Sequence, residues 1–296
     1  MNVTPLRISR RTVAVATALA GMVSLAIGAH AALNKRALDA AKAVATEQGA
    51  EGASTALRIA LVIGNGHYPD AAAPLAQPIN DARALTEALR HDGFDVDVVE
   101  DASKDDMTRA VQRMKSKIRP DSVVLLFFGG YGIQVGRESY MIPVDATIWK
   151  ESDIRREGVS VEQVLEVMKS QGARAKLAVI DASRRNPYER RFRAFSHGLA
   201  PIVAPDNALI LSSATPGKVA EDSNGQDSVL VTELLNNLNA QNLNNQAAGA
   251  ESVFNKTRVA ISKASDGEQV PSVSSSLLED VRFGTTRTAE ASRAGS

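Results

Sequence analysis

Four short, almost uninterrupted apolar runs constrain this chain more than any other feature. They are Leu57 to Gly64, Ser122 to Phe128, Lys176 to Ile180 and Ala208 to Ser212. A strand with one face in water alternates apolar and polar residues, whereas a strand covered on both faces reads as a nearly continuous apolar run. Segments of helical period lie between the runs. Asn80-Asp81 starts a helix over Ala82 to Arg90, with apolar residues at 82, 85 and 89, and Gly93 stops it. Phe94 to Val99 alternates as a further strand. Ser103 caps a helix through Lys117 that carries Met107, Val111 and Met114 on one face, and Pro120-Asp121 ends it. Ser160 opens a helix to Ser170, its hydroxyl pairing with Gln163 in a capping box. Two more helices are expected at 228–239 and 250–264, with the Asn/Gln-rich stretch Asn236 to Gln246 as a polar surface turn between them.

Strand and helix in alternation predict an α/β fold, a mainly parallel sheet with helices on both faces. In such sheets functional sites lie beyond the carboxyl ends of the strands, near a reversal of strand order. Three segments occupy such places: Gly129 to Gly132, Asp181 to Pro187, and Ser213 to Thr215.

Composition narrows the chemistry. Lys+Arg and Asp+Glu both number 34 among 296 residues, and this zero net charge argues against a protein that coats nucleic acid. Cysteine is absent, which excludes a disulfide framework, a zinc–thiolate site, an iron–sulfur cluster and a thiol nucleophile. With four histidines, a metal-dependent hydrolase has little support, and neither metal nor cofactor is expected.

The first 31 residues read as a targeting segment. Arg7, Arg10 and Arg11 precede the charge-free stretch Val13 to Ala29, and Ala29-His30-Ala31 offers a small-x-small cleavage site. Ser9 to Val13 is a weak match to a twin-arginine signal. A cleaved signal peptide is the preferred reading, with an uncleaved membrane anchor and a cytoplasmic helix as alternatives. Either of the first two exports the domain, to the periplasm or to the inner membrane facing it. Residues 32–56 form an Ala-rich linker, 57–284 the domain, and 285–296 a tail expected to be disordered.

The motifs of the domain, in order, carry a resemblance. They are Ala60-Leu61-Val62-Ile63-Gly64-Asn65, Pro78-Ile79-Asn80-Asp81-Ala82, Phe127-Phe128-Gly129-Gly130-Tyr131-Gly132 and Tyr140-Met141-Ile142-Pro143-Val144-Asp145. Val179-Ile180-Asp181-Ala182-Ser183-Arg184 with Asn186-Pro187, Gly198-Leu199-Ala200-Pro201, Ala214-Thr215-Pro216-Gly217, and Gln269-Val270-Pro271 before Ser274 to Leu277 complete the set. Together they resemble the caspase-like peptidase superfamily, in its bacterial metacaspase/orthocaspase branch, over roughly residues 57–284. The resemblance implies a three-layer α/β/α sandwich with a mainly parallel sheet of about six strands. Active members carry His in the motif after the third strand and Cys in the motif after the fourth. Tyr131 and Ser183 stand at those positions here.

These substitutions remove the family's chemistry. A thiol ionises near pH 8.5, so a neighbouring imidazole can hold it as thiolate. A serine hydroxyl needs a strong base beside it, and a tyrosine phenol that titrates at about 10 is a poor one at neutral pH. Losing one member of such a unit lowers the rate by about 10⁴- to 10⁶-fold, and losing both lowers it little further. The leading expectation is a non-catalytic pseudo-peptidase, a binding or regulatory module. The alternative is an unorthodox serine hydrolase using Ser183 with Tyr131 and the Gly130 and Gly132 amides as oxyanion donors. A pure interaction scaffold with a closed cleft is the third reading. His67 and His197 read as ordinary loop residues.

The resemblance also implies an acidic pocket for Arg or Lys, formed by Asp81 and Asp181. A peptide or protein partner with a basic side chain is therefore expected, through charge-assisted hydrogen bonds. In the opposing reading Asp81 caps a helix and Asp181 orders a loop. The arginines 184, 185, 190, 191 and 193, interleaved with Tyr188, Phe192 and Phe195, read as a loop and not as a nucleic-acid surface. Asp145 and Glu221-Asp222 form no dense calcium loop.

Overall fold

The computed structural model describes residues 57–69, 74–184, 199, 201–220, 225–242 and 248–284. Expectations placed on residues 1–56 (targeting segment and linker), on the arginine-rich loop after Arg184 with His197, on Glu221-Asp222 and on the tail from 285 lie outside the described residues. No helix among the described residues is long and apolar enough to cross a membrane.

The elements run β1 (Arg58–Gly64), α1 (Gln77–His91), β2 (Asp95–Glu100), α2 (Lys104–Lys117), β3 (Val123–Gly129), β4 (Gly132–Val135), β5 (Glu138–Met141), α3 (Glu151–Glu157), β6 (Val159–Ser160), α4 (Val161–Ser170), β7 (Ala175–Asp181) and β8 (Ala208–Ser212). Then follow α5 (Val229–Asn242), β9 (Ala248–Gly249), α6 (Ala250–Ala264), β10 (Ser272–Ser275) and β11 (Arg282–Phe283). The main sheet has six strands in the order β10-β8-β7-β3-β1-β2, parallel throughout except for β10, which pairs antiparallel with β8.

The continuous apolar runs are the inner strands. Every residue of β3 and β7 is buried, because helices cover both faces. Val62, Leu125, Phe127, Leu177 and Val179 pack under α1, α5 and α6, while Leu61, Ile63, Leu126, Phe128 and Ile180 pack under α2 and α4. The alternation of these two sets along each strand is the period-2 geometry of β-structure. The result is the expected α/β/α sandwich. A smaller sheet in the order β4-β5-β6 carries a third cluster that includes Tyr68, Ile133, Tyr140, Ile142 and Ile154.

Local signals explain the helix starts. Ser103 accepts from the Asp106 amide and the Asp106 carboxylate answers to the Ser103 amide, a complete capping box. At Ser160 only half of the expected box forms: its hydroxyl accepts from the Gln163 amide and donates instead to the neighbouring Glu162 carboxylate. The first helix starts at Gln77, before Asn80-Asp81, because Pro78 at the opening turn needs no amide partner and its φ already suits a helix. Helix α5 runs through Asn242, so the polar stretch from Asn236 is not a turn from its start; the Leu234 and Leu238 contacts with the core carry the helix onward.

Candidate functional site

Register brings the substituted positions together. Gly64 pairs with Gly129, and Gly129 with Asp181, so β1, β3 and β7 end level. The order of strands reverses between β1 and β3, with β2 outside the first and β7 outside the second, so a crevice is expected at these ends. Tyr131 and Ser183 each stand two residues beyond a register-paired residue on adjacent strands. The two loops are sewn to each other: the Gly130 amide donates to the Asp181 carbonyl at 3.2 Å and the Gly132 amide to the Ala182 carbonyl at 3.1 Å. Both amides named above as oxyanion donors are therefore engaged with backbone carbonyls.

Close approach explains the glycines. A Cβ at Gly130, whose φ is +155°, would lie 2.6 Å from the Tyr68 hydroxyl. That hydroxyl accepts from the Tyr131 amide at 3.0 Å and donates to the Ile142 carbonyl at 2.9 Å. The Tyr68 and Tyr131 rings meet edge to face, 4.7 Å between centroids at 64°. Tyrosines from the loops after β1 and β3 thus occupy the crevice at the strand-order reversal. Tyr68 was not singled out from sequence, since a lone aromatic after a strand carries no distinguishing signal.

Ser183 is only 1% exposed, too little for its hydroxyl to meet a substrate in this conformation. Its amide donates to the Ser213 hydroxyl at 3.4 Å and its carbonyl accepts from the Ala220 amide at 2.6 Å. The three loops after β3, β7 and β8 accordingly meet at one rim.

The acidic pair lies on the face of the sheet that α1 covers. A Cβ on Gly64 would stand 2.3 Å from the Pro78 carbonyl oxygen, so only glycine lets the start of α1 settle on the end of β1. One turn further, Asp81 is fully buried, as is Asp181 at the end of β7. The Ser228 amide donates to Asp81 Oδ1 at 2.8 Å, while Asp81 Oδ2 and Asp181 Oδ2 have no hydrogen-bond donor among the described residues. Burial, reinforced by the nearby Asp181 carboxylate, pushes the Asp81 carboxyl up to about 7; Ser228 and Arg184 pull the other way. Asp81 therefore does not cap α1, since it lies inside the helix.

Arg184 is the neighbour that sequence reasoning passed over as a mere motif residue. It is 5% exposed. Its Nη2 lies 3.5 Å from Asp181 Oδ2, an ion pair without hydrogen-bond contact, and its Nη1 donates to the Asp181 carbonyl and, at 3.2 Å, to the Gly130 carbonyl.

His67 and Asp145 have local partners. His67 Nδ1 lies 2.6 Å from Asp101 Oδ2, and the Gly66 and His67 amides each donate to Asp101 Oδ1 at 2.9 Å. Burial alone would raise the Asp101 carboxyl; the donors from His67 and Gly66 outweigh it and hold it below its ordinary range. The cluster ties the loop after β1 to the end of β2. Asp145 accepts from the Lys104 amide at 2.9 Å, at the first turn of α2. Among the described residues no three His, Asp or Glu side chains come together in a way that would hold a metal ion.

A family model for the caspase domain matches residues 57–282. The chain belongs to the caspase-domain family. The match spans every element from β1 to the start of β11, so the caspase domain and the structural core are one unit. The chain is also 29% identical over 134 residues to the human mucosa-associated lymphoid tissue lymphoma translocation protein 1. That alignment covers 45% of this caspase-domain chain but 16% of the human protein, so it compares one portion of a much longer polypeptide.

Proposed function

We propose that this caspase-domain protein binds and does not cut, acting as a pseudo-peptidase whose partner is a peptide or protein with an Arg or Lys side chain. The observation that carries the reading is the state of the two dyad positions. They follow adjacent strands, but one is a serine that is 1% exposed and the other a tyrosine whose ring meets that of Tyr68 edge to face. An acyl-transfer site needs an accessible nucleophile, a base within hydrogen-bond reach and free donors for the developing oxyanion. Here the hydroxyl is covered, the partner is a phenol, and the Gly130 and Gly132 amides already donate to carbonyls.

Asp81 and Asp181 support the basic-ligand part of the reading. Their unpartnered buried oxygens are acceptors without donors, and a guanidinium or ammonium is the group that matches them. The targeting segment at residues 1–31 extends the proposal to an exported protein, periplasmic or held at the inner membrane, with no nucleic-acid partner. The test is a fluorogenic assay on the full chain with peptides ending in Arg or Lys before the reporter. No turnover above buffer is expected; turnover that disappears in Ser183→Ala would overturn the reading.

A further inference from the structure

The acidic pocket already contains a cation, and the chain itself supplies it. Asp181 and Arg184 are three residues apart, on either side of the buried Ser183, and the Arg184 guanidinium turns back to lie over the end of β7. We infer that Arg184 is an intramolecular ligand of the Asp81–Asp181 pair, a built-in competitor that a partner's basic side chain must displace. The inference rests on the reading that this pair is where a basic side chain binds.

Arg184 leaves both carboxylates with an oxygen that no hydrogen bond among the described residues satisfies, which makes exchange possible. A guanidinium matched to a carboxylate makes two parallel hydrogen bonds. Arg184 directs Nη1 to two backbone carbonyls and leaves Nη2 at 3.5 Å from Asp181 Oδ2. Asp181 Oδ2 and Asp81 Oδ2 both remain without a hydrogen bond. The site therefore offers more acceptor capacity than its own arginine uses, and an incoming guanidinium that reached both oxygens would gain contacts Arg184 does not make. Arg184 lies beyond the last residue of β7, so its departure breaks no pairing in the sheet. Of the two carbonyls it releases, that of Asp181 keeps the Gly130 amide as its donor.

A tethered competitor acts at an effective concentration of about millimolar for a short flexible connection. Apparent affinity for an external ligand falls by the fraction of molecules in which the pocket is open, so removing the competitor should raise it by at least about tenfold. Arg184→Gln is the informative variant, since its side-chain amide can still donate to a carbonyl but carries no charge. Arg184→Lys keeps the charge but not the fork, and serves if Arg184→Gln does not fold.

Two readouts on the full-length chain separate the possibilities. The first is fluorescence polarisation with a fluorescein-labelled Ala-Ala-Arg peptide amide; the second is thermal unfolding with millimolar methylguanidinium chloride against equal sodium chloride. The expected result is peptide binding at least about tenfold tighter in Arg184→Gln than in wild type, with the gain lost when Asp181→Asn is added. Methylguanidinium should stabilise Arg184→Gln and leave wild type unchanged; Arg184→Lys should fall between the two in both measurements. Equal peptide affinity in wild type and Arg184→Gln would overturn the competitor while leaving the basic-peptide reading intact. Methylguanidinium stabilisation that depends on Asp181, with no peptide binding by any variant, would support the competitor and refute the peptide reading. No response to either probe would overturn the inference.

Discussion

Replacing Asp81 by Asn should make the protein more stable in mild alkali and leave it little changed at about pH 4 and below. The Asp81 carboxyl, ordinarily near 3.8, is raised to about 7 in the fold, chiefly by burial and next by the charge of Asp181. Between those two values the native state holds a proton that the unfolded chain has released, so stability falls as pH rises. The contribution of neutral Asp81 is fully present below about pH 4 and is lost as pH passes through about 7. Each tenfold change in protonation equilibrium is worth about 1.4 kcal/mol, so the ionised form is disfavoured by an amount on the order of 4 kcal/mol. Asparagine is neutral at every pH and keeps an oxygen to accept from the Ser228 amide, as Asp81 Oδ1 does now. Its amide would replace the unpartnered Oδ2 and present donors where Asp181 Oδ2 has none. For a domain of this size, 1 kcal/mol moves Tm by about 2–4 °C, so the variant should melt about 8–16 °C above wild type at pH 8. At about pH 4 the two should nearly coincide, and at pH 5 the difference should be only about 1–2 kcal/mol. Thermal melts at several pH values check this, because the difference between variant and wild type cancels the other carboxylates. Equal destabilisation at pH 4 and pH 8 would show that Asp81 is held as a structural anion, and the argument from burial would fail.

Three other outcomes follow from particular contacts. Gly64→Ala places a methyl 2.3 Å from a backbone oxygen of Pro78, which cannot move without lifting α1, so it should destabilise by about 2–4 kcal/mol in urea unfolding. Ser103→Ala removes the complete capping box at the start of α2 and should lower stability by about 1 kcal/mol, with the helix otherwise intact by circular dichroism. The double substitution Tyr131→His with Ser183→Cys should not restore cleavage of Arg- or Lys-terminated peptides, since the nucleophile position is covered and both nearby glycine amides are engaged; measurable thiol-dependent turnover would show that the cleft opens readily.

Much of the frame was legible because its signals are local. The runs at Arg58–Gly64, Val123–Gly129 and Ala175–Asp181 lie in a doubly covered sheet, and such strands cannot be polar on either face. The strands β4 and β5 and the short helix α3 escaped notice. Gly132–Val135 and Glu138–Met141 are four residues each, too short for periodicity to stand out, and their pairing depends on contact with each other. β10 was missed because Ser272–Ser275 is mostly polar; pairing with β8 makes it a strand. At the site, motif order pointed to Tyr131, Ser183, Asp81 and Asp181, but not to Tyr68, Ser228 or the placement of Arg184. Ser228 lies 147 residues from Asp81, a separation that no local pattern spans.

By itself, the sequence determined the alternating α/β frame, the absence of any thiol, and the presence of a phenol and an alcohol where the dyad would stand. Those are matters of residue type and period, written along the chain. Only the tertiary structure decided that Ser183 is covered, that Tyr131 leans on Tyr68, and that Arg184 lies against Asp181. Exposure and charge pairing depend on which strand ends lie level and which loops meet there, and this is settled by the packing of the whole domain.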